Sequence, residues 1–98
     1  MKLRPAGTSK RVRFELSAEP GSQVFVAGTF NNWNPTANQL TANPLKDKQD
    51  SGTYKTALRV PTGTHEYKFV VNGVWHTDPR CQERVLSGYA SLNSVLHV

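Results

Sequence analysis

The dipeptide Asn72-Gly73, set between His65-Glu66-Tyr67-Lys68-Phe69-Val70-Val71 and Val74-Trp75-His76-Thr77, constrains the fold more than any other feature of the chain. Both residues tolerate the positive φ that a two-residue type I′ turn demands, and the flanking runs are rich in β-branched and aromatic residues. The segment therefore reads as a β-hairpin. A turn of that length pairs Val71 with Val74, Val70 with Trp75 and Phe69 with His76. Directly opposed residues point to one side of a sheet, as do residues two apart along a strand. Lys68, Val70 and Trp75 thus share one face, while Tyr67, Phe69, Val71, Val74 and His76 share the other. The second set reads as the core face, with His76 a satisfied core histidine. That leaves Trp75 outside, with Lys68 beside it.

Period-two patterning continues elsewhere. Val12, Phe14 and Leu16 fall on one face of the run from Arg11 to Ser17, and Tyr54, Thr56, Leu58 and Val60 on one face of the run from Thr53. Val24-Phe25-Val26-Ala27 is a short strand closed by Gly28, a further short strand lies within Leu40 to Leu45, and Leu92 to Val98 forms the last. Glu19-Pro20-Gly21-Ser22, Pro61-Thr62-Gly63 and Asp78-Pro79 are turn chemistry. Lys46 to Gly52 is a polar loop, and Arg80 to Ser91 reads as a loop as well. No stretch carries a helical period. Short strands with turns about every 8–12 residues predict an all-β fold, an immunoglobulin-like (early-set) antiparallel β-sandwich of about seven or eight strands. Its expected core is Phe14, Leu16, Val24, Val26, Leu58, Tyr67, Phe69 and Val71. Residues 1–10 lack periodicity and read as a flexible basic tail ahead of one domain over 11–98.

Composition narrows the function classes. The single cysteine, Cys81, excludes an intramolecular disulfide and fits a reducing, cytoplasmic setting. No apolar run approaches the length of a membrane span or of a signal-peptide core, so no membrane partner is expected. The net charge of +5 raises the question of nucleic acid, but five of the twelve basic residues (Lys2, Arg4, Lys10, Arg11 and Arg13) lie in the first thirteen positions. Such an arm reads as a solvated tail, and no nucleic-acid partner is expected. His65, His76 and His97 have no metal-ligand spacing, and Cys81 has no partner pattern, so neither a metal nor a cofactor is expected. Asp78 before Pro79 is a turn former: glycoside hydrolysis needs a second carboxylate at defined separation, and no catalytic residues are assigned.

The informative residues are the two tryptophans. Trp33 sits in Thr29-Phe30-Asn31-Asn32-Trp33-Asn34-Pro35, a loop that presents an aromatic. Each indole has a purely structural alternative, Trp33 as a loop anchor and Trp75 as a side chain covered by the 80–91 segment. Taken together, and with Lys68 and several Asn nearby, they suggest a sugar platform. Indole faces stack on the apolar C–H face of a pyranose, while Lys and Asn reach its hydroxyls.

The two segments that carry these residues, Val26 to Trp33 and Gly63 to Pro79, resemble the glycogen-binding module family, carbohydrate-binding module family 48. That family is found in the β subunit of AMP-activated protein kinase and beside branching and debranching enzymes. The resemblance runs in unbroken order over roughly residues 11–98, and its paired motifs are Gly-x-Phe-Asn-x-Trp and Tyr-Lys-Phe-x-Val-x-Gly-x-Trp-x-x-Asp-Pro. It implies a non-catalytic domain that binds α-glucan polysaccharide or oligosaccharide and serves a glycogen-metabolising enzyme or a kinase. In the kinase-subunit branch the glucan is gripped by two Trp, a Lys and an Asn, which correspond to Trp33, Trp75, Lys68 and Asn93. That branch also threads a bulky apolar side chain into the sugar helix beside a hydroxyl residue. Tyr89 and Ser91 stand at those places, a tyrosine replacing the aliphatic finger. Two other readings remain open: a protein-interaction domain of the same fold with a vestigial sugar site, and a single-strand nucleic-acid binder that stacks bases on its aromatics.

Overall fold

The computed structural model describes residues 8–42, 52–86 and 91–98. Among these residues eight strands follow one another: β1 (Ser9–Ser17), β2 (Val24–Gly28), β3 (Gln39–Leu40), β4 (Thr53–Pro61), β5 (Thr64–Val71), β6 (Val74–His76), β7 (Arg84–Leu86) and β8 (Leu92–His97). The architecture is an antiparallel β-sandwich. β1 and β4 form a two-stranded sheet, and the other six strands form a second sheet in the order β3-β2-β5-β8-β7, with β6 also on β5. β5 is its centre. β2 runs along one edge from Val24↔Val71 to Gly28↔Tyr67. The opposite edge is divided, Thr64 to Tyr67 pairing with β8 and Phe69 to Val71 with β6.

The hairpin forms as its sequence predicts. Asn72 and Gly73 both have positive φ, 50° and 82°, and the register pairs Phe69 with His76, Val70 with Trp75 and Val71 with Val74. Asn72 is tied down further, since its Oδ1 accepts the Gln23 N–H at 2.9 Å and its own N–H donates to the Gln23 carbonyl at 2.8 Å. Phe69 is fully buried, whereas Trp75 is 43% exposed. Of the expected core, Phe14, Leu16, Val24, Val26, Tyr67 and Phe69 are buried, and Leu58 and Val71 pack against them half-buried. Leu40, Tyr54 and Val60 complete the cluster, and the Phe14 ring meets Phe30 at 5.5 Å and Tyr67 at 5.4 Å between centroids.

The structure corrects several sequence expectations. Val74 and His76 lie on the inward side of the pleat but are exposed, because the β1–β4 sheet covers β2 and β5 and no residue of β6 joins the core. His76 is therefore not a core histidine; it lines an open groove with Leu16, Ala18, Val71 and Pro79. Val70, on the outward side, is buried instead, being flanked in register by Phe25 and Trp75. β1 begins at Ser9, with Ser9 and Lys10 already paired to Pro61 and Val60, two residues before the alternation announces it. β3 is Gln39–Leu40, beginning one residue before the expected Leu40 to Leu45 stretch, whose residues 43–45 lie outside the described residues, as do residues 46–51 and the tail residues 1–7. Within the expected 80–91 loop a short strand forms, β7, its residues paired one by one with β8.

Asp78, read as a turn former, ties the β6–β7 connection to the core. Its Oδ1 accepts the Arg80 N–H at 2.9 Å, its own N–H donates to Ser94 Oγ at 3.0 Å, and its Oδ2 accepts the Tyr67 hydroxyl at 2.6 Å. Burial of the phenol, reinforced by the adjoining carboxylate, pushes the Tyr67 pKa well above the ordinary tyrosine range. The folded chain thus holds this proton to higher pH than the unfolded chain does. The resulting stability is complete below about pH 10, the ordinary tyrosine value, and is lost as pH rises beyond it. Tyr67→Phe should lower stability at neutral pH by about 1.5–3 kcal/mol, as for a buried hydrogen bond to a charged acceptor. It should also flatten the fall in stability above pH 10. Urea unfolding of both proteins from pH 7 to 11 checks this; parallel alkaline limbs would contradict it.

Candidate functional site

Trp33 is placed by a loop that folds back on the end of β2. Asn31 is its clamp: Oδ1 accepts the Gly28 N–H at 2.9 Å, while Nδ2 donates to the Val26 carbonyl at 3.0 Å and to Asn38 Oδ1 at 2.7 Å. The Gly28 carbonyl accepts the N–H groups of Asn31 at 3.1 Å and Trp33 at 2.9 Å. Asn32 and Trp33 both have φ of 57°. A left-handed conformation at a bulky residue costs about 1–2 kcal/mol, and it persists here because the clamp leaves the loop no other path. Gly28 permits the arrangement. A Cβ on it would sit 2.5 Å from the Glu66 carbonyl oxygen, 2.6 Å from the Phe30 ring and 2.9 Å from Tyr67 Cβ. The Gly, Phe and Asn that precede Trp33 are thus the parts of one device that holds the indole out.

Trp75 comes from the hairpin. The two indoles meet with ring centroids 6.5 Å apart and planes inclined at 45°. Trp33 is half-buried and Trp75 is the more open, so the pair leaves aromatic surface facing solvent. Trp75 rests against Trp33 and is itself 43% exposed; residues 87–90 of the 80–91 segment expected to cover it lie outside the described residues.

Beside the rings lies a polar strip built by register. Glu66 is opposite Val95 and Tyr67 opposite Ser94, so the outward residues of β5, Glu66 and Lys68, share a face with Asn93 of β8, and Ser91, the residue before β8, reaches the same side through its bond to Lys68. Two side-chain bonds are made on this face. Lys68 Nζ donates to Ser91 Oγ, and Asn93 Nδ2 donates to Glu66 Oε1 at 2.9 Å. Lys68 and Ser91 are half-buried, while Asn93 is only 8% exposed. Trp33, Trp75, Lys68, Ser91 and Asn93 are thus gathered on one side of the six-stranded sheet. Tyr89 lies outside the described residues. Glu66 was not singled out in the sequence, although its place two residues before Lys68 puts it on the same face.

Such a surface can stack apolar ring faces and exchange hydrogen bonds with hydroxyls. Arg11, Arg13, Lys55 and Arg80 line a separate cleft of about 630 Å³ that includes neither tryptophan. Glu15 in that cleft pairs with Arg80 and with Lys55, and the Arg80 hydrogen bond holds its carboxyl below the usual carboxylate range. Among the described residues no group of three His, Cys, Asp or Glu side chains is placed to hold a metal ion. No helix among them is long and apolar enough to cross a membrane.

Comparison with known proteins gives consistent matches. Residues 11–98 match the family described as the glycogen recognition site of AMP-activated protein kinase. The 5′-AMP-activated protein kinase subunit β-2 of Mus musculus is 36% identical over 81 residues, covering 83% of this chain and 27% of the relative. Subunit β-1 of Rattus norvegicus is 33% identical over 78 residues, covering 80% of this chain and 25% of the relative. Protein FLOURY ENDOSPERM 6, chloroplastic, of Oryza sativa subsp. japonica is 34% identical over 69 residues, covering 70% of this chain and 12% of the relative. The chain spans about a quarter of the length of the kinase subunits named.

Because backbone and core surround Gly28, Gly28→Ala should cost about 1–3 kcal/mol, as overpacking does. It should also shift the Trp33 resonances more than those of Trp75. Thermal unfolding and indole N–H spectra check this. A variant with wild-type stability and an unmoved Trp33 signal would mean that the loop does not depend on the missing Cβ.

Proposed function

The chain belongs to the family of the glycogen recognition site of AMP-activated protein kinase, and from that premise we propose that it is a non-catalytic module binding α-1,4-glucans of the glycogen or starch type. The observation that carries the reading is the paired, solvent-facing contact of Trp33 with Trp75. Stacked indoles supply most of the apolar contact to successive glucose rings, and Lys68, Ser91 and Asn93 exchange their hydrogen bonds with sugar hydroxyls. An open, wet site of this kind binds short chains weakly, roughly in the micromolar to millimolar range.

In this reading the module works in the cytoplasm by holding a partner, a kinase or a glycogen-metabolising enzyme, against polyglucose and so raising its local concentration there. No catalysis is assigned to it. Asp78, a carboxylate next to the site's hairpin, has one oxygen engaged by Tyr67 and the other by the Arg80 N–H.

Calorimetric titration with maltoheptaose tests the site. Trp33→Ala and Trp75→Ala should each cost on the order of 2 kcal/mol, as central aromatic contacts do. Lys68→Ala and Asn93→Ala should cost less, about 1 kcal/mol each. Because the ligand is uncharged, raising salt from about 50 to 200 mM should move Kd by less than about twofold, whereas a phosphate binder would lose orders of magnitude. A double tryptophan variant that binds like the wild type would place the site elsewhere. A wild type that ignores millimolar ligand would favour the protein-interaction reading.

Incubation of the purified protein with glycogen should release no reducing sugar. Release that disappears in Asp78→Asn would overturn the non-catalytic assignment.

A further inference from the structure

The role of Glu66 follows from what its neighbours can and cannot donate. It stands on β5 two residues before Lys68, on the outward side of the central strand, diagonally across from Asn93 on β8. Its Oε1 accepts a hydrogen bond from Asn93 Nδ2 at 2.9 Å. An ionised carboxylate has no proton to give, so it admits only the nitrogen end of the amide. Asn93 is only 8% exposed and its backbone on β8 is paired with Val85 of β7, so the side chain keeps its place on the sheet and its main remaining choice is which end of the amide faces Glu66. One strand-pair step further, Lys68 donates to Ser91 Oγ. The polar strip therefore consists of two bonds running in opposite senses: β8 donates to β5 at Asn93–Glu66, and β5 donates to the residue just before β8 at Lys68–Ser91.

We propose that Glu66 is a positioning residue of the glucan site: it fixes the orientation of the Asn93 amide, so that the carbonyl end and the second amide proton of Asn93 are presented in one fixed arrangement to sugar hydroxyls. The inference rests on the glucan reading given above. Without the carboxylate, the amide can rotate by half a turn about its last side-chain bond and exchange donor for acceptor. Binding must then restore the productive orientation from a mixture. Preorganisation of this kind changes affinity without adding a contact. It also makes the two residues act as one unit, and such residues are non-additive on mutation.

The test is a double-mutant cycle read by maltoheptaose titration, with Trp75→Ala as a control for the site itself. Glu66→Ala should weaken binding about three- to tenfold, the range expected for one net hydrogen bond. In an Asn93→Ala background, Glu66→Ala should have little further effect. Glu66→Gln, whose Oε1 can still accept from Nδ2, should restore most of the affinity. The side-chain amide protons of Asn93, observed without sugar, should move in Glu66→Ala, and because Asn93 is only 8% exposed the titrations are run well below the melting temperature of every variant.

Three results would overturn the inference while the glucan reading survives. They are wild-type affinity in Glu66→Ala, an equal loss from Glu66→Ala with and without Asn93, and Asn93 amide protons that do not respond to the substitution. A wild type that fails to bind maltoheptaose and is indifferent to Trp75→Ala overturns the glucan reading, and the inference falls with it.

Discussion

Pairing along both edges of β5 is the interaction on which the rest of the structure depends. One edge is occupied by β2, and the other is shared end to end by β8 and β6. With its neighbours fixed on both sides, β5 cannot slip, and a slip of a single residue would reverse every side chain. The strand therefore delivers Tyr67 and Phe69 to the interior and Glu66 and Lys68 to the opposite face without ambiguity. The division of the second edge matters as well. β6 brings Trp75 to one end of the outward face and β8 brings Asn93, with Ser91 just ahead of it, to the other, so aromatic and polar groups meet on one sheet although they come from segments apart in the chain.

Local chemistry made much of this legible. Asn72-Gly73 admits one turn type, that turn admits one register, and the register assigns Trp75 and Phe69 to opposite faces. The core followed from the same alternation wherever a strand is covered by another sheet. Where cover is missing, alternation misleads: Val74 and His76 sit on the inward side of β6, but nothing in their own sequence records that β6 stays outside the core cluster. Pairings made at a distance were likewise invisible. β7 is a strand because β8 lies beside it, and Val85-Leu86 alone carries too little pattern to announce that. Glu66 drew no notice because its partner, Asn93, lies 27 residues along the chain. The resemblance to a known family supplied Asn93 and Ser91, which periodicity could not have singled out.

Two rigid supports show how a small sandwich can hold an open site still. Asn31 stitches the Trp33 loop to β2 through bonds to Gly28, Val26 and Asn38, and Asp78 stitches the β6–β7 connection to Tyr67, Arg80 and Ser94. Neither uses a metal or a disulfide. Each engages its side chain with several partners at once, so the cost of ordering a loop is met largely in the free protein and less of it falls on the binding step.

The 45° inclination between the indole planes has a geometric consequence for whatever lies on them. Two coplanar rings form a flat shelf, suited to a ribbon-like chain whose successive residues present parallel faces. Inclined planes present two faces at an angle, and a ligand stacks on both only if its consecutive units turn relative to each other by a comparable amount. A straight, β-linked glucan, whose faces stay parallel, could lie flat on only one of the two rings. A chain that coils, as an α-1,4-linked one does, offers the bend already made. Selection between two polymers of the same sugar can therefore reside in the angle between two side chains, without any group that distinguishes one hydroxyl from another.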